Sequence, residues 1–251
     1  MAPIRVGIIG LSASPGAWAN AAHLPYLASS PKYQIVAICN SSISAAQAAI
    51  KAHSLPAGTK TYANPAELAS DPDIDLFVVS TRVDTHYGLA KPALEAGKNI
   101  FVEWPLGANV SQATELLSLA KAKNVRTIVG LQGRYDAAVL RVREVISSGR
   151  LGTVHSINVH AAVGVWQDNA VGERYRYLID KAVGGNLLTI YGGHELDTFF
   201  FVHGEPMPGS VKTTLANLRP EINIKKDNGT ISKETYKKTT PDQVCFWRTF
   251  L

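Results

Sequence analysis

Three glycines near the N-terminus have the spacing of a phosphate-binding turn. Gly7 and Gly10 close the apolar run 4–10, and Gly16 begins a helix-like stretch after the intervening segment 11–15. Glycine lets the backbone of such a turn approach a pyrophosphate, and the helix that follows offers free N–H groups and the positive end of its dipole. The pattern predicts a dinucleotide site, with a turn longer than the strict Gly-x-Gly-x-x-Gly spacing.

The residues that follow the second strand candidate bear on which dinucleotide binds. A carboxylate at this point would bind the ribose diol of NAD, but this chain has Cys39, Asn40 and Ser41. The missing negative charge removes repulsion against a 2′-phosphate, and hydroxyl groups can hydrogen-bond it. The sequence therefore favours NADP over NAD, with the alternative that Asn40 and Ser41 only shape a turn.

The first half of the chain alternates short apolar segments with helix-like segments. These segments position the glycine turn and the residues that follow the second strand. Apolar runs without strict alternation are typical of parallel strands covered on both faces. Alternating strands and helices predict a doubly wound parallel sheet with right-handed crossovers, which is the Rossmann arrangement. The strand candidates are 5–10, 34–40, 76–80, 99–102 and 127–131, and the helix candidates are 16–28, 44–53, 65–70, 85–96 and 110–123.

The second half has a different pattern, which predicts a shortened α+β domain with an open sheet. The domain boundaries are predicted at 1–134 and 135–251. A small sheet ending in Phe246, Trp247 and Phe250 would leave an apolar face or an open edge. Either another subunit covers it, which would make a homo-oligomer, or the chain is a shortened version of a larger fold. Helices are predicted at 136–148 and 185–202 and strands at 154–160, 210–218 and 244–250, whereas 220–243 is polar and poorly patterned.

Composition and charge narrow the class of protein. The 251 residues are 46% hydrophobic and 18% charged, and no apolar stretch reaches the roughly 20 residues that span a bilayer. The net charge of +5 lies largely in the segment 212–238, where acidic residues are interspersed, so we expect a solvated surface and no nucleic-acid site. Cys39 and Cys245 match no metal or redox spacing, and the N-terminus is not a signal peptide. We therefore expect a cytoplasmic protein with neither a metal site nor a membrane partner.

Several ordered motifs resemble the Gfo/Idh/MocA oxidoreductase family. The resemblance covers nearly the whole chain, and it implies an N-terminal Rossmann domain, a C-terminal α+β domain and a nicotinamide cofactor between them. Family members commonly oxidise or reduce sugars, cyclitols and related carbonyl or alcohol compounds. The motifs are Thr85-His86, Ala93-Leu94-Glu95-Ala96-Gly97-Lys98, Val102-Glu103-Trp104-Pro105-Leu106, Gly130-Leu131-Gln132-Gly133-Arg134-Tyr135 and Ser148-Gly149-Arg150-Leu151-Gly152.

Two departures from the family pattern change the expected chemistry. Trp104 stands where the family has a catalytic lysine, and Ile190 stands where it has an aspartate four residues before His194. A tryptophan can pack, stack or donate one N–H, but it cannot transfer a proton. His194 is therefore the first candidate for the acid/base and Tyr191 the second, with the alternative that His194 is a satisfied interior histidine.

The pair Glu103-Trp104 and the extended glycine loop also resemble a narrower subgroup around the fungal galactose-regulon repressor. That repressor keeps the fold and binds a dinucleotide, but it acts by binding a transcriptional activator. Two functions follow: an NAD(P)-dependent oxidoreductase acting on a carbonyl or secondary alcohol of a small molecule, or a non-catalytic regulator with a protein partner. For a regulator, a nuclear location is an alternative to the cytoplasm.

The cofactor residues are assigned on the same basis. We expect the phosphates to lie beside the glycine loop, the adenosine ribose beside the end of the second strand, and the nicotinamide beside the fifth. Arg82 lies where family members line the cofactor, although a surface arginine is an equal alternative. The assigned residues are Gly10, Ser12, Ala13, Gly16 and Trp18 for the phosphates, Asn40 and Ser41 for the ribose, Glu103, Trp104 and Pro105 for the nicotinamide, and Thr81, His86 and Gln132 nearby.

Overall fold

The computed structural model describes residues 2–163 and 169–247. The chain forms two compact units, Met1–Gly130 and Leu131–Leu251. The division falls where the last strand of the first unit ends, a few residues before the boundary that the sequence predicts.

The first unit contains a six-stranded parallel sheet in the order β3-β2-β1-β4-β5-β6. This order confirms the predicted Rossmann arrangement. The short edge strand β3 was not predicted, because its three residues carry no apolar run. The strands are β1 (Ile4–Ile9), β2 (Tyr33–Cys39), β3 (Lys60–Tyr62), β4 (Leu76–Val79), β5 (Asn99–Glu103) and β6 (Thr127–Gly130).

Helices cover both faces of this sheet. The predicted helix 16–28 is two short helices with His23 between them, because Pro25 cannot donate the N–H that a continuous helix needs. Asn64 and Asn109 cap α4 and α6 by accepting hydrogen bonds from backbone N–H groups. The helices are α1 (Trp18–Ala22), α2 (Leu24–Ser29), α3 (Ile43–Ala52), α4 (Pro65–Ser70), α5 (Val83–Glu95) and α6 (Val110–Ala122).

The side chains of alternate strand residues pack into two separate apolar layers. Val6 and Ile8 of β1 pack with α1, α2 and α3 on one face, whereas Phe77 and Val79 of β4 pack with α4, α5 and α6 on the other. Helical crossovers return each strand in the same direction, so the strands are parallel and their carboxyl ends lie at one edge. In a doubly wound sheet that edge is where ligands bind.

In its described residues, 131–163 and 169–247, the second unit contains two small sheets, ordered β10-β9-β7 and β11-β8, and two α-helices. Its compact core is formed by Val171, Leu178, Ile222 and Ile224. The strands are β7 (Ala170–Gly172), β8 (Lys212–Ala216), β9 (Glu221–Lys225), β10 (Ile231–Lys237) and β11 (Gln243–Trp247). The helices are α7 (Ala137–Ser147) and α8 (Gly193–His203), with 3₁₀ turns at Gln132–Tyr135, Glu173–Ile179 and Lys181–Val183 and a π-helix at Leu187–Gly192.

The second unit departs from the sequence prediction at three places. Segment 154–160 alternates like a strand but has no regular structure, because neither described sheet supplies it with a partner. Segment 220–243 contains β9 and β10, which were missed because only Ile222 and Ile224 of these strands are deeply buried. The predicted helix 185–202 is a π-helix followed by α8. The predicted last strand is present as β11, and Phe250 lies outside the described residues.

The two α-helices of the second unit bury no residue fully, although α8 carries three consecutive phenylalanines. Phe199 and Phe200 make edge contacts with Phe246 of β11, at ring distances of 6.3 and 6.2 Å. Within 2–163 and 169–247, no helix is long and apolar enough to cross a membrane. Over the same ranges, no group of three or more His, Cys, Asp or Glu side chains lies where it could hold a metal ion.

Candidate functional site

A cavity of about 410 Å³ opens at the carboxyl ends of β1, β2 and β4. The cavity lies beside the junction of β1 and β4, where the order of the strands in the sheet changes direction. Doubly wound sheets bind their ligands in the crevice at this point. Its volume lies within the range of small-molecule sites. Among the residues that the structure describes, no carboxylate lines this cavity. The lining residues are Ile9, Gly10, Cys39, Asn40, Ser41, Ala63, Pro65, Thr81, Arg82, Thr85 and Leu89.

Gly10 is one of the residues that line this cavity. Its φ of +98° is a conformation that residues with side chains rarely adopt. A Cβ at this position would lie 2.3 Å from the backbone oxygen of Ser80 and 2.7 Å from Cγ2 of Thr81. The missing side chain therefore lets the backbone of Gly10 pack against the residues that follow β4, at the edge of the cavity, and we call this turn the Gly10 cradle.

The extended glycine loop is held by hydrogen bonds to its carbonyl groups. Asn40 donates from Nδ2 to the carbonyl oxygen of Leu11, at 2.8 Å, and to that of Ala45, at 3.3 Å. Its amide N–H groups are therefore already engaged, which leaves Oδ1 to accept a bond from a ribose. Ser41 lines the cavity and is exposed, whereas Ala13 and Gly16 lie exposed in the loop itself.

Glu103, at the end of β5, is buried and binds two donors from the segment that follows the loop. Its Oε1 accepts from Nε1 of Trp18 at 2.9 Å and lies 2.5 Å from Nε2 of His23. Gly130 backs this carboxylate, since a Cβ there would lie 2.7 Å from Oε2. Glu103 thus fixes Trp18, whose side chain remains half-exposed. His23 was not predicted, because nothing in its sequence context links it to a residue so distant in the chain.

His86 is buried and holds the segment that follows β5. Its Nδ1 lies 2.7 Å from the carbonyl oxygen of Pro105, and its Nε2 lies 3.0 Å from that of Thr81. Burial lowers the pKa of His86, whereas the two carbonyl contacts oppose that change. The peptide bond between Trp104 and Pro105 is cis. His86 lies outside the cavity lining, so the structure gives it a positioning role.

The predicted acid/base residues lie in the second unit, where an unusual helix carries them. The π-helix Leu187–Gly192 includes Tyr191 and passes directly into α8, whose second residue is His194. Short π-helical turns recur at functional sites. Tyr191 packs against the core of this unit, and burial raises the pKa of its hydroxyl. His194 is half-buried, and Gln132 lies in the 3₁₀ turn that begins the unit.

Two family models divide the chain as the structure does. The model described as an oxidoreductase family with an NAD-binding Rossmann fold matches residues 4–131. The model described as the C-terminal domain of Gal80p matches residues 137–251.

Relatives of two kinds are similar to this chain. The dehydrogenase aclE of Aspergillus oryzae is 40% identical over 205 residues, covering 80% of this chain and 55% of that protein. The galactose/lactose metabolism regulatory protein GAL80 of Kluyveromyces lactis is 32% identical, covering 97% of this chain and 54% of that protein. The chain thus spans little more than half the length of these curated relatives. The crystal structure of a super-repressor mutant of Gal80p from Saccharomyces cerevisiae has a TM-score of 0.88 and 31% identity, covering 99% of this chain and 65% of that one.

Proposed function

This chain belongs to the Gfo/Idh/MocA oxidoreductase family, and from that premise we propose that it is an NAD(P)-dependent oxidoreductase. Its substrate would be a carbonyl or secondary alcohol of a small, sugar-like molecule or secondary metabolite. The observation that carries the proposal is the cradle at Gly10, which opens on the cavity at the strand ends. The similarity to the aclE dehydrogenase supports it.

The cofactor would be held by the residues around the cavity and the glycine loop. Backbone N–H groups of Ser12 and Ala13 would face the phosphates, and Ser41 the adenosine ribose. We propose NADP as the preferred form, because no carboxylate lines the cavity and Arg82 does. Arg82 is held by Asp84 through bonds of 2.6 and 2.7 Å, so its guanidinium has a fixed position.

Cofactor preference is tested by one substitution. In Ser41→Asp, a carboxylate enters the cavity, repels a 2′-phosphate and offers an acceptor to the ribose diol of NAD. We expect the ratio of the Kd values for NADPH and NADH to move towards NADH by about tenfold or more, as for one unfavourable charge contact. Ser44→Asp, on the exposed first turn of α3, is the matched control. An unchanged ratio in Ser41→Asp would contradict the assignment.

Proton transfer is assigned to the second unit. A bound nicotinamide supplies hydride transfer, and the substrate oxygen then needs a proton donor or acceptor. Trp104 and Ile190 replace the groups that usually serve in this family, and neither can transfer a proton. We assign the role to His194, with the hydroxyl of Tyr191 as a hydrogen-bond donor. The raised pKa of Tyr191 keeps that hydroxyl protonated near neutral pH.

The enzyme proposal is tested in two steps with the full chain. NADPH and NADH are titrated while tryptophan fluorescence is followed, since Trp18 is half-exposed beside the loop. Absorbance of the reduced cofactor is then followed against a panel of carbonyl compounds. We expect turnover that is lost in His194→Ala and retained in His160→Ala, an exposed histidine of the second unit. Absence of dinucleotide binding would overturn the proposal outright.

A second function is favoured by a specific observation: the Gal80p C-terminal model matches residues 137–251. A dinucleotide-sensing regulator that binds a protein partner would need the cofactor site but not His194. Binding of NADPH without turnover on any carbonyl compound would favour this function.

For either function we propose self-association through the exposed apolar side chains of the second unit, which sedimentation would measure. We also propose a location in the cytoplasm, or in the nucleus for a regulator.

A further inference from the structure

Three side chains hold three carbonyl groups of the glycine loop. Nδ2 of Asn40 binds the carbonyl oxygen of Leu11, and Nε2 of His53 binds that of Ser12 at 2.8 Å. Nδ2 of Asn20 binds the carbonyl oxygen of Ser14 at 3.0 Å. These three anchors come from the end of β2, the end of α3 and helix α1, so they fix the loop from three directions.

The anchors decide which way the peptide groups of the loop face. A peptide whose carbonyl is bound towards the protein directs its N–H group the opposite way, because the group is planar and trans. Across residues 2–163 and 169–247, the backbone N–H groups of Ser12 and Ala13 donate to no protein acceptor. A row of outward N–H groups in a turn is a site for an anion.

His53 holds the glycine loop but does not line the cavity. It caps α3 at its C-terminal end, and it is absent from the cavity lining, unlike Asn40. Its contact to a carbonyl oxygen requires a proton on Nε2, which either the neutral Nε2–H tautomer or the imidazolium supplies.

We propose that His53 is a positioning residue for the pyrophosphate of the dinucleotide. It holds the peptide between Ser12 and Ala13 so that the N–H group of Ala13 faces the phosphates, as Asn40 does for the N–H group of Ser12, and it does not touch the cofactor. The inference rests on the proposed dinucleotide binding and deepens it. Asn40 and Asn20 hold the loop on either side, so the loss of His53 loosens one peptide and leaves the rest of the site.

The test compares phosphate-containing and phosphate-free ligands. The Kd values of NADPH, ADP and adenosine are measured for the wild type, His53→Leu, His53→Gln and the exposed control His160→Leu. Loss of one hydrogen bond should raise the Kd of NADPH and ADP roughly threefold to tenfold in His53→Leu. Glutamine can donate to the same carbonyl, so His53→Gln should lie within about twofold of the wild type. Adenosine should bind all four proteins equally.

The outcomes separate this inference from the proposed function. If the wild type binds NADPH and His53→Leu binds it equally well, the positioning role is wrong and the cofactor proposal stands. An equal loss for adenosine would assign His53 a general structural role and overturn the inference. If the wild type binds no dinucleotide, the proposed function is overturned, and this inference is overturned with it.

A measurement on the wild type covers the case in which His53→Leu does not fold. Inorganic pyrophosphate is titrated into the ¹⁵N-labelled protein, and the amide resonances of Ser12 and Ala13 are followed. We expect these resonances to move together and to saturate, as amides that donate to an anion do. If they do not move while amides elsewhere do, the loop does not present these groups and the proposal is overturned.

Discussion

Gly10→Ala is the most direct test of the Gly10 cradle. The structure gives this substitution two separate free-energy costs. The first cost is conformational, since φ at Gly10 is +98°. The second is steric, since the new methyl group would lie 2.3 Å from the backbone oxygen of Ser80. Backbone at the end of β4 cannot move aside as a flexible side chain would.

Gly97→Ala is a matched control that carries only the first cost. Gly97 follows α5 with a φ of +72°, and nothing lies within 4 Å of the position that its Cβ would take. A left-handed conformation costs a residue with a side chain about 1–2 kcal/mol. Overpacking adds about 1–3 kcal/mol, so we expect a loss in the free energy of unfolding of about 1–2 kcal/mol for Gly97→Ala and about 2–5 kcal/mol for Gly10→Ala.

Thermal unfolding and cofactor titration together test this reasoning. With about 3 °C in Tm per kcal/mol, Tm should fall by about 3–6 °C in Gly97→Ala and by about 6–15 °C in Gly10→Ala. NADPH should bind Gly97→Ala as it binds the wild type and should bind Gly10→Ala more weakly. Equal Tm losses in the two variants would refute the steric account, and unchanged binding in Gly10→Ala would refute the cradle.

Three further predictions concern buried charge. Glu103→Ala removes the buried acceptor of Trp18 and His23 and should destabilise the first unit by about 2–4 kcal/mol in urea unfolding, with Glu103→Gln losing less. Burial alone would raise the pKa of Asp71, but the hydrogen bond from Lys60 helps lower it from 3.8 to about 2. Because the folded pKa is depressed, we expect about 2 kcal/mol of stability to be present above about pH 4 and lost as the pH falls to about 2, and Asp71→Asn should flatten that part of the profile. Lys238→Met removes the buried ammonium that lies 3.2 Å from the carboxylate of Asp242 and should cost about 3–5 kcal/mol in the same urea assay. Replacing Asp242 with Asn as well should recover part of that loss.

Local signals predicted most of the first unit, but not the edge strand β3 or the break at His23. Each of the five predicted strands is an apolar run, whereas β3 has only three residues and no such run. The second unit was predicted less well, because strands with one wet face depend on their partners. Segment 154–160 has the alternation of a strand but no described partner, whereas β9 has a partner but only Ile222 and Ile224 as a signal.

The candidate site shows the same limit at the level of single residues. Gly10 could be predicted from the sequence because it belongs to the local pattern of a glycine turn, although its close contact with Ser80 is not local. The contacts of His23 with Glu103 and of His53 with Ser12 join residues that are 80 and 41 positions apart. A single sequence carries no signal for such pairs, since neither His23 nor His53 belongs to a local motif. The sequence therefore indicated the ligand better than it indicated the residues that prepare its site.

The distribution of these residues bears on whether the dinucleotide is consumed or sensed. The cradle at Gly10, the loop anchors and Trp18 with its Glu103 support all lie within the first unit, and the proposed function assigns proton transfer to none of them. The acid/base candidates, Tyr191 and His194, lie in the part of the chain that the Gal80p C-terminal model matches. On this assignment, a substitution such as Ile190 would reduce turnover and leave the cofactor site intact. Dinucleotide affinity and turnover should accordingly respond to different substitutions, with His53→Leu changing the first and His194→Ala the second.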